Sequence, residues 1–105
     1  MDKSLRQIKR EKFRDVLRAI CPNVYFQKPG NSKMTYPVIL YEYNRINALY
    51  ADNRKYFQTI EFLVTVIDRD PDSTIVDQIN ELPYCRYDND FKKDNLYHTT
   101  FVAKI

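Results

Sequence analysis

Asp68-Arg69-Asp70-Pro71-Asp72 places three carboxylates at alternate positions, the first spacing in the chain that could hold a cation. A calcium loop counted from Asp68 needs Gly at its sixth position and Glu at its twelfth. Those positions are Ser73 and Ile79, so the match fails. Asp followed by Pro is what a helix start asks for: a side-chain cap, a preset φ, and acids at the positive end of the helix dipole. His98 is the sole histidine and alternates with Leu96 and Thr100 in a strand pattern. A general base needs a partner within hydrogen-bond reach, and a strand histidine without one reads as structural. Cys21 and Cys85 stand far apart, in no metal-ligand spacing. They read as small hydrophobes of the core. Gly30 is the single glycine, which excludes both a P-loop and a dinucleotide fingerprint. The residues call for no metal and no cofactor. Arg10, Arg14 and Arg18 recur every four residues and form one ridge of a helix, suited to phosphates, to solvent or to a neighbouring subunit.

The 105 residues are enough for one domain, 1–105, and too few for two. Apolar residues make up 44%, which supports a real core, and 30% charge is near the norm for a folded chain. Uncharged apolar runs fall well short of the ~18 residues that suggest a membrane span. Met1-Asp2-Lys3-Ser4 leads into a charged amphipathic pattern without the apolar centre of a signal peptide. With two separated cysteines, this favours a reducing, intracellular setting. Nine Tyr and six Phe suit half-buried β surfaces and protein interfaces. Residues 1–20 hold seven Lys/Arg against three Asp/Glu, a net +4, whereas residues 68–94 hold eight acids against four bases, a net −4. So polar a domain can steer nucleic acid or align its own copies head to tail.

Ser4 and Gln7 fit a capping box, and Leu5, Ile8, Phe13, Val16, Leu17 and Ile20 predict a helix over 4–20 that Pro22 ends. Short strands are predicted at 24–26 and 36–46, separated by a loop containing Pro29-Gly30-Asn31-Ser32. Residues 47–53 form a turn or an arm that carries Leu49 and Tyr50 where a plain turn is polar. The strand over 55–67 turns Ile60, Phe62, Val64 and Val66 to the core and Thr59, Glu61, Leu63 and Thr65 away from it. Its length, roughly 40 Å, predicts that its start projects as part of a hairpin arm. A second helix is expected from Asp70-Pro71, with Ile75, Val76, Ile79 and Leu82 buried and Pro83 ending it. Strands at 84–87 and 96–103, joined through Asp88-Asn89-Asp90 and Lys92-Lys93-Asp94-Asn95, complete the chain. The expected class is α+β: an antiparallel or mixed sheet with two helices on one face, in the order α-β-β-β-α-β-β.

The run Asn23-Val24-Tyr25-Phe26, a loop, Tyr36-Pro37-Val38-Ile39-Leu40-Tyr41, and the long strand Tyr56-Phe57-Gln58-Thr59-Ile60-Glu61-Phe62-Leu63-Val64 ahead of a helix resembles the tail terminator (tail completion) proteins of long-tailed bacteriophages. The likeness runs along essentially the whole chain. It implies a non-enzymatic virion protein of the tail and neck, built as a hexameric ring. Such a ring caps the head-proximal end of the tail tube, touches the tube protein and joins the head-closure or connector protein, with no membrane involved. DNA would pass through without specific binding. Leu49 and Tyr50 would then contact another subunit, as would Arg10, Arg14 and Arg18. Asp68, Asp70, Asp72, Asp88 and Asp90 would line an acidic bore, because a basic bore would hold DNA through counterion release. Alternatives are another neck protein, such as a head-closure or adaptor protein, and a small nucleic-acid-binding α+β domain stacking bases on Tyr41, Tyr43, Tyr97 and Phe101. A metal-dependent nuclease using Asp68, Asp70 and Asp88 stands third.

Overall fold

The computed structural model describes residues 3–27, 34–51 and 54–105, with the side chains of 48–58 outside that description. Two helices, α1 (Leu5–Ile20) and α2 (Thr74–Asn80), accompany five strands: β1 (Val24–Phe26), β2 (Val38–Ala51), β3 (Arg54–Asp68), β4 (Cys85–Lys93) and β5 (Leu96–Lys104). The chain is α+β, in the expected order α-β-β-β-α-β-β. The strands form one mixed sheet ordered β1-β2-β3-β5-β4, in which only β1 and β2 run parallel. The loop containing Pro29-Gly30-Asn31-Ser32 lies outside the described residues.

α1 begins as its sequence predicts. The Ser4 hydroxyl accepts the Gln7 N–H at 3.1 Å, and the helix closes where the Cys21 N–H donates to the Leu17 carbonyl, one residue before Pro22. Its apolar stripe is only half used. Phe13 and Leu17 are buried, but Leu5 and Ile8 are 48% and 37% exposed, against the expectation that both join the core. The N-terminal turns overhang the core and are held by polar contacts instead. The Tyr43 hydroxyl donates to the Arg6 carbonyl, and Lys9 Nζ donates to the Ile105 carbonyl at 2.8 Å.

The second helix is shorter than predicted and does not start at Asp70-Pro71. It opens at Thr74, with Ser73 at the cap position making no side-chain cap bond. The carboxylates before it satisfy nearer donors first. Asp68 accepts the Asp70 N–H at 3.2 Å, and Asp70 accepts the Asp72 N–H at 2.9 Å. These local side-chain-to-backbone turns compete with helix, as Asp does generally. Ile75 and Ile79 are still buried and Val76 packs against the core.

β4 runs through Asp88-Asn89-Asp90, which the sequence pattern had placed in a connection. It is an edge strand and needs no alternation of apolar residues. A register shift between Tyr87 and Asn89 absorbs Asp88 as an extra residue. The β4–β5 turn places Asp94 and Asn95 at positive φ, as a two-residue hairpin requires, and Asp and Asn tolerate this region best after Gly.

The predicted core face is the observed one. Ile60, Phe62, Val64 and Val66 are fully buried beneath the helices, beside Ile39 and Tyr41 of β2 and Phe101 and Ala103 of β5. Phe13 of α1 lies 5.0 Å from Phe62 and 5.9 Å from Tyr41, ring centre to ring centre. Phe62→Ala removes the ring at the centre of this cluster. It should cost about 3–5 kcal/mol, the range for emptying a buried aromatic site, measured by urea unfolding. A loss under about 1 kcal/mol would place the core on the other face.

Candidate functional site

β2 and β3 are longer than the sheet they belong to. β5 pairs with β3 from Glu61 to Asp68, and the last backbone bonds are exchanged between Ile60 and Ile105. β1 reaches β2 only at residues 39–41. From Asn47↔Thr59 to Ala51↔Arg54 the two strands pair only with each other among the described residues. They project as a two-stranded arm. The radius of gyration is 15.1 Å and the long axis 52 Å, against about 13 Å for the radius of a compact chain of this length. Leu49 and Tyr50 belong to the far half of the arm, paired through backbone with Phe57 and Lys55; their side chains lie outside the described residues.

The root of the arm is pinned by a contact that the sequence pattern did not reveal. Glu61 is buried on the face opposite the helices. Its carboxylate accepts Asn44 Nδ2 at 2.6 Å and has Lys104 Nζ 3.9 Å away. The register shift between Tyr43 and Arg45 leaves Asn44 unpaired in the ladder, which lets it reach Glu61. Two acceptor oxygens meeting a neutral and a charged donor make burial of the carboxylate tolerable.

The same helix-free face carries an apolar trough. Leu40 of β2, Leu63, Thr65 and Ile67 of β3, and Leu96 and His98 of β5 form its floor. Ile67 is buried, and the other five are half-buried although no helix covers this face. Glu42 and Asp94 stand on its rim with Lys93. On the neighbouring strand Phe91 stacks flat on His98, ring centres 4.7 Å apart. The sole histidine is thus half of an aromatic cross-strand pair. Leu63 was assigned to the outer side of β3 in the sequence, but the trough as a unit was missed. The available signal was the almost unbroken apolar run Phe62-Leu63-Val64-Thr65-Val66-Ile67, which suits a strand covered on both faces.

The arginine ridge lies along the β1–β2 side. Arg10 sits 4.8 Å over the Phe26 ring and Arg6 5.5 Å over Tyr43, while Arg14 pairs with Asp15 at 3.3 Å. Burial pushes the Tyr41 phenol above its ordinary pKa, and the nearby Arg14, Arg10 and Arg18 guanidiniums pull it back down. All three ridge residues therefore gather near one phenol, and Arg18 is exposed.

Asp68, Asp70, Asp72, Asp88 and Asp90 all stand toward the end of the sheet opposite the arm. They do not converge. Asp68 and Asp70 share successive turns, Asp90 takes the hydroxyl of Tyr87, and Asp88 accepts the Thr100 hydroxyl at 3.1 Å. The bond to Asp90 raises the Tyr87 pKa. Among the described residues no three His, Cys, Asp or Glu side chains come together in a way that could hold a metal ion. No described helix is long and apolar enough to cross a membrane.

Two of the four aromatics that could serve as base-stacking platforms are buried in the core and two are half-buried. Tyr41 and Phe101 are 3% and 0% exposed beneath the helices. Tyr43 stacks on Phe62 at 5.3 Å, and Tyr97 has Lys92 Nζ 5.3 Å from its ring centre. No protein-family model matches the chain, and no curated protein matches it.

Cys21 and Cys85 are free and buried in the core cluster. Burial pushes the Cys85 thiol from its ordinary 9.0 up to about 11. The folded state therefore holds this proton more tightly than the unfolded state. The resulting stabilisation is complete below pH 9 and is lost as pH rises through 11. Iodoacetamide at pH 8 should leave both thiols unmodified in the folded chain and label both in urea. Rapid labelling without denaturant would show that the thiols are accessible.

Proposed function

We propose that this chain is a non-enzymatic structural protein that assembles with copies of itself into a ring, as the resemblance to tail terminators implies. In that reading the ring closes the head-proximal end of a phage tail tube, meets the head-closure protein on its other side, and belongs to the virion. The observation that supports the reading most is the arm. A two-stranded ribbon without further strands or a helix is at best marginally stable in water, and six residues of β3, Arg54 to Thr59, lie beyond the β5 pairing. Such a ribbon gains stability when it lies against another subunit. The charge arrangement supports the same reading. Five acids stand at the end of the sheet away from the arm, while the arm carries Arg54 and Lys55 against Asp52. Opposite charges at opposite ends favour head-to-tail contacts, which close into rings when the rotation allows.

The acids at the far end are the bore residues of this reading, and the Arg10/Arg14/Arg18 helix belongs between subunits or on the outside. Packing of Tyr41 and Phe101 beneath the helices weighs against base stacking on the sheet. Two experiments test the proposal. Light scattering after size exclusion should find assemblies of the parent chain, alone or on added tube protein, that Leu49→Asp with Tyr50→Asp reduces to folded monomer. Assemblies that persist at parental concentration would remove the arm as the contact. Replacing Arg10, Arg14 and Arg18 together with Gln should leave DNA retention negligible, as in the parent, and any defect should appear in assembly. Strong, salt-sensitive DNA binding by the parent that vanishes in the triple variant would overturn the ring reading in favour of a nucleic-acid-binding domain.

A further inference from the structure

We infer that the arm of one subunit docks in the trough on the helix-free face of the next; this rests on the ring reading proposed above and names the two surfaces that meet. The trough needs an occupant. Leu40 and Leu63 are half-buried and Ile67 buried on a sheet face that neither α1 nor α2 covers, between walls supplied by Gln27, Met34 and Tyr36, and a contiguous apolar patch of this kind marks a contact site.

The occupant cannot be the chain's own arm. The floor of the trough is built from the inner halves of β2 and β3, and the arm is the continuation of those strands. Folding back would break the pairing that runs from Val38↔Ile67 to Ala51↔Arg54. A second copy has no such restriction. The trough crosses β2, β3 and β5, two inter-strand spacings or about 10 Å. A two-stranded ribbon has one such spacing of about 5 Å between its strands, so it fits within that width.

Charge favours the same pairing. The trough opens, at Lys93, Asp94 and Leu96, onto the sheet end where Asp68, Asp88 and Asp90 stand. The arm, residues 47–59, holds two cations and one acid, and the cations, Arg54 and Lys55, open its second strand. An arm entering from the acidic end brings cations to carboxylates, while an arm meeting another arm brings like charges together. Arm and trough are different surfaces of one chain, so the contact is heterologous, and each subunit uses both surfaces once.

Complementation tests this directly. The arm variant, Leu49→Asp with Tyr50→Asp, keeps an intact trough. The trough variant, Leu63→Asp, keeps an intact arm. Each alone should be monomeric by light scattering while retaining the parental circular dichroism. Mixed in equal amounts, they should form a species of twice the monomer mass and nothing larger, because the one remaining arm and the one remaining trough are both disabled. If Leu63→Asp assembles like the parent, or if the mixture stays monomeric, the arm docks elsewhere; parental assembly then leaves the ring reading intact. A parent chain that stays monomeric at high concentration and on tube protein overturns both. If Leu63→Asp fails to fold, Tyr50→Cys with Thr65→Cys decides the question. Mild oxidation should link subunits in series through the introduced thiols, since Cys21 and Cys85 are buried, and an absence of intermolecular links overturns the docking.

Discussion

Phe62 meets Phe13, Tyr43 and Tyr41 at ring-centre distances of 5.0, 5.3 and 6.1 Å, and the rest of the molecule is arranged around this cluster. Phe13 ties α1 to the middle of the sheet. Tyr43 and Tyr41 tie β2 to β3 on the same face. Ring contacts of this kind add directional preference to area burial, so they fix where α1 crosses the sheet. The overhang of Leu5 and Ile8 and the position of the arginines beside β1 both follow from that crossing. With Phe13 placed over Phe62, Arg10 falls over Phe26 and Arg6 over Tyr43. Part of the basic ridge thereby covers the chain's own aromatics, and Arg18 at its far end remains exposed.

Strict periodicity made the centre of the fold legible in sequence. The alternation of Ile60, Phe62, Val64 and Val66 has no break, and it identified the buried face, the layer of helices and the element order. Local competition obscured the edges. Asp70-Pro71 carries every mark of a helix start, yet Asp68 and Asp70 bind nearer backbone N–H groups and the helix waits until Thr74. Asp88-Asn89-Asp90 has loop composition, yet it lies in an edge strand that pairs on one side and is exposed on both faces. Leu49 and Tyr50 were noticed because apolar residues are unusual in a turn. The trough was not, because its floor comes from three strands far apart in sequence, and only register brings Leu40, Thr65 and His98 onto one face. The Asn44–Glu61 contact was hidden for a related reason: it depends on a register shift that no residue pattern announces.

β3 carries a second constraint that the helices do not meet. Its inward face is closed by α1 and α2, but Leu63 and Ile67 face the other way, with Leu40 beside them. A strand with apolar residues on both faces is usual where a sheet is covered on both sides. Among the described residues neither helix covers that second face, while a ribbon narrow enough to lie on it extends from the same strands. Both features have one origin, since β2 and β3 are too long for their own sheet and too apolar for a single layer of helices.

Charge then selects among the ways two such chains could meet. Two arms side by side would bring together two segments that each carry a net positive charge, and two troughs face to face would oppose their acidic ends. In the proposed docking, an arm in a trough relieves both repulsions and leaves the pair with one free arm and one free trough. Such a contact, if the proposed docking holds, would not stop at a dimer. It grows until the last arm finds the first trough, and the angle between successive subunits sets how many copies that takes. The Asn44–Glu61–Lys104 contact sits where the arm leaves the sheet. It holds the root of the ribbon against β5, and in the proposed ring the direction in which the arm departs there would set that angle.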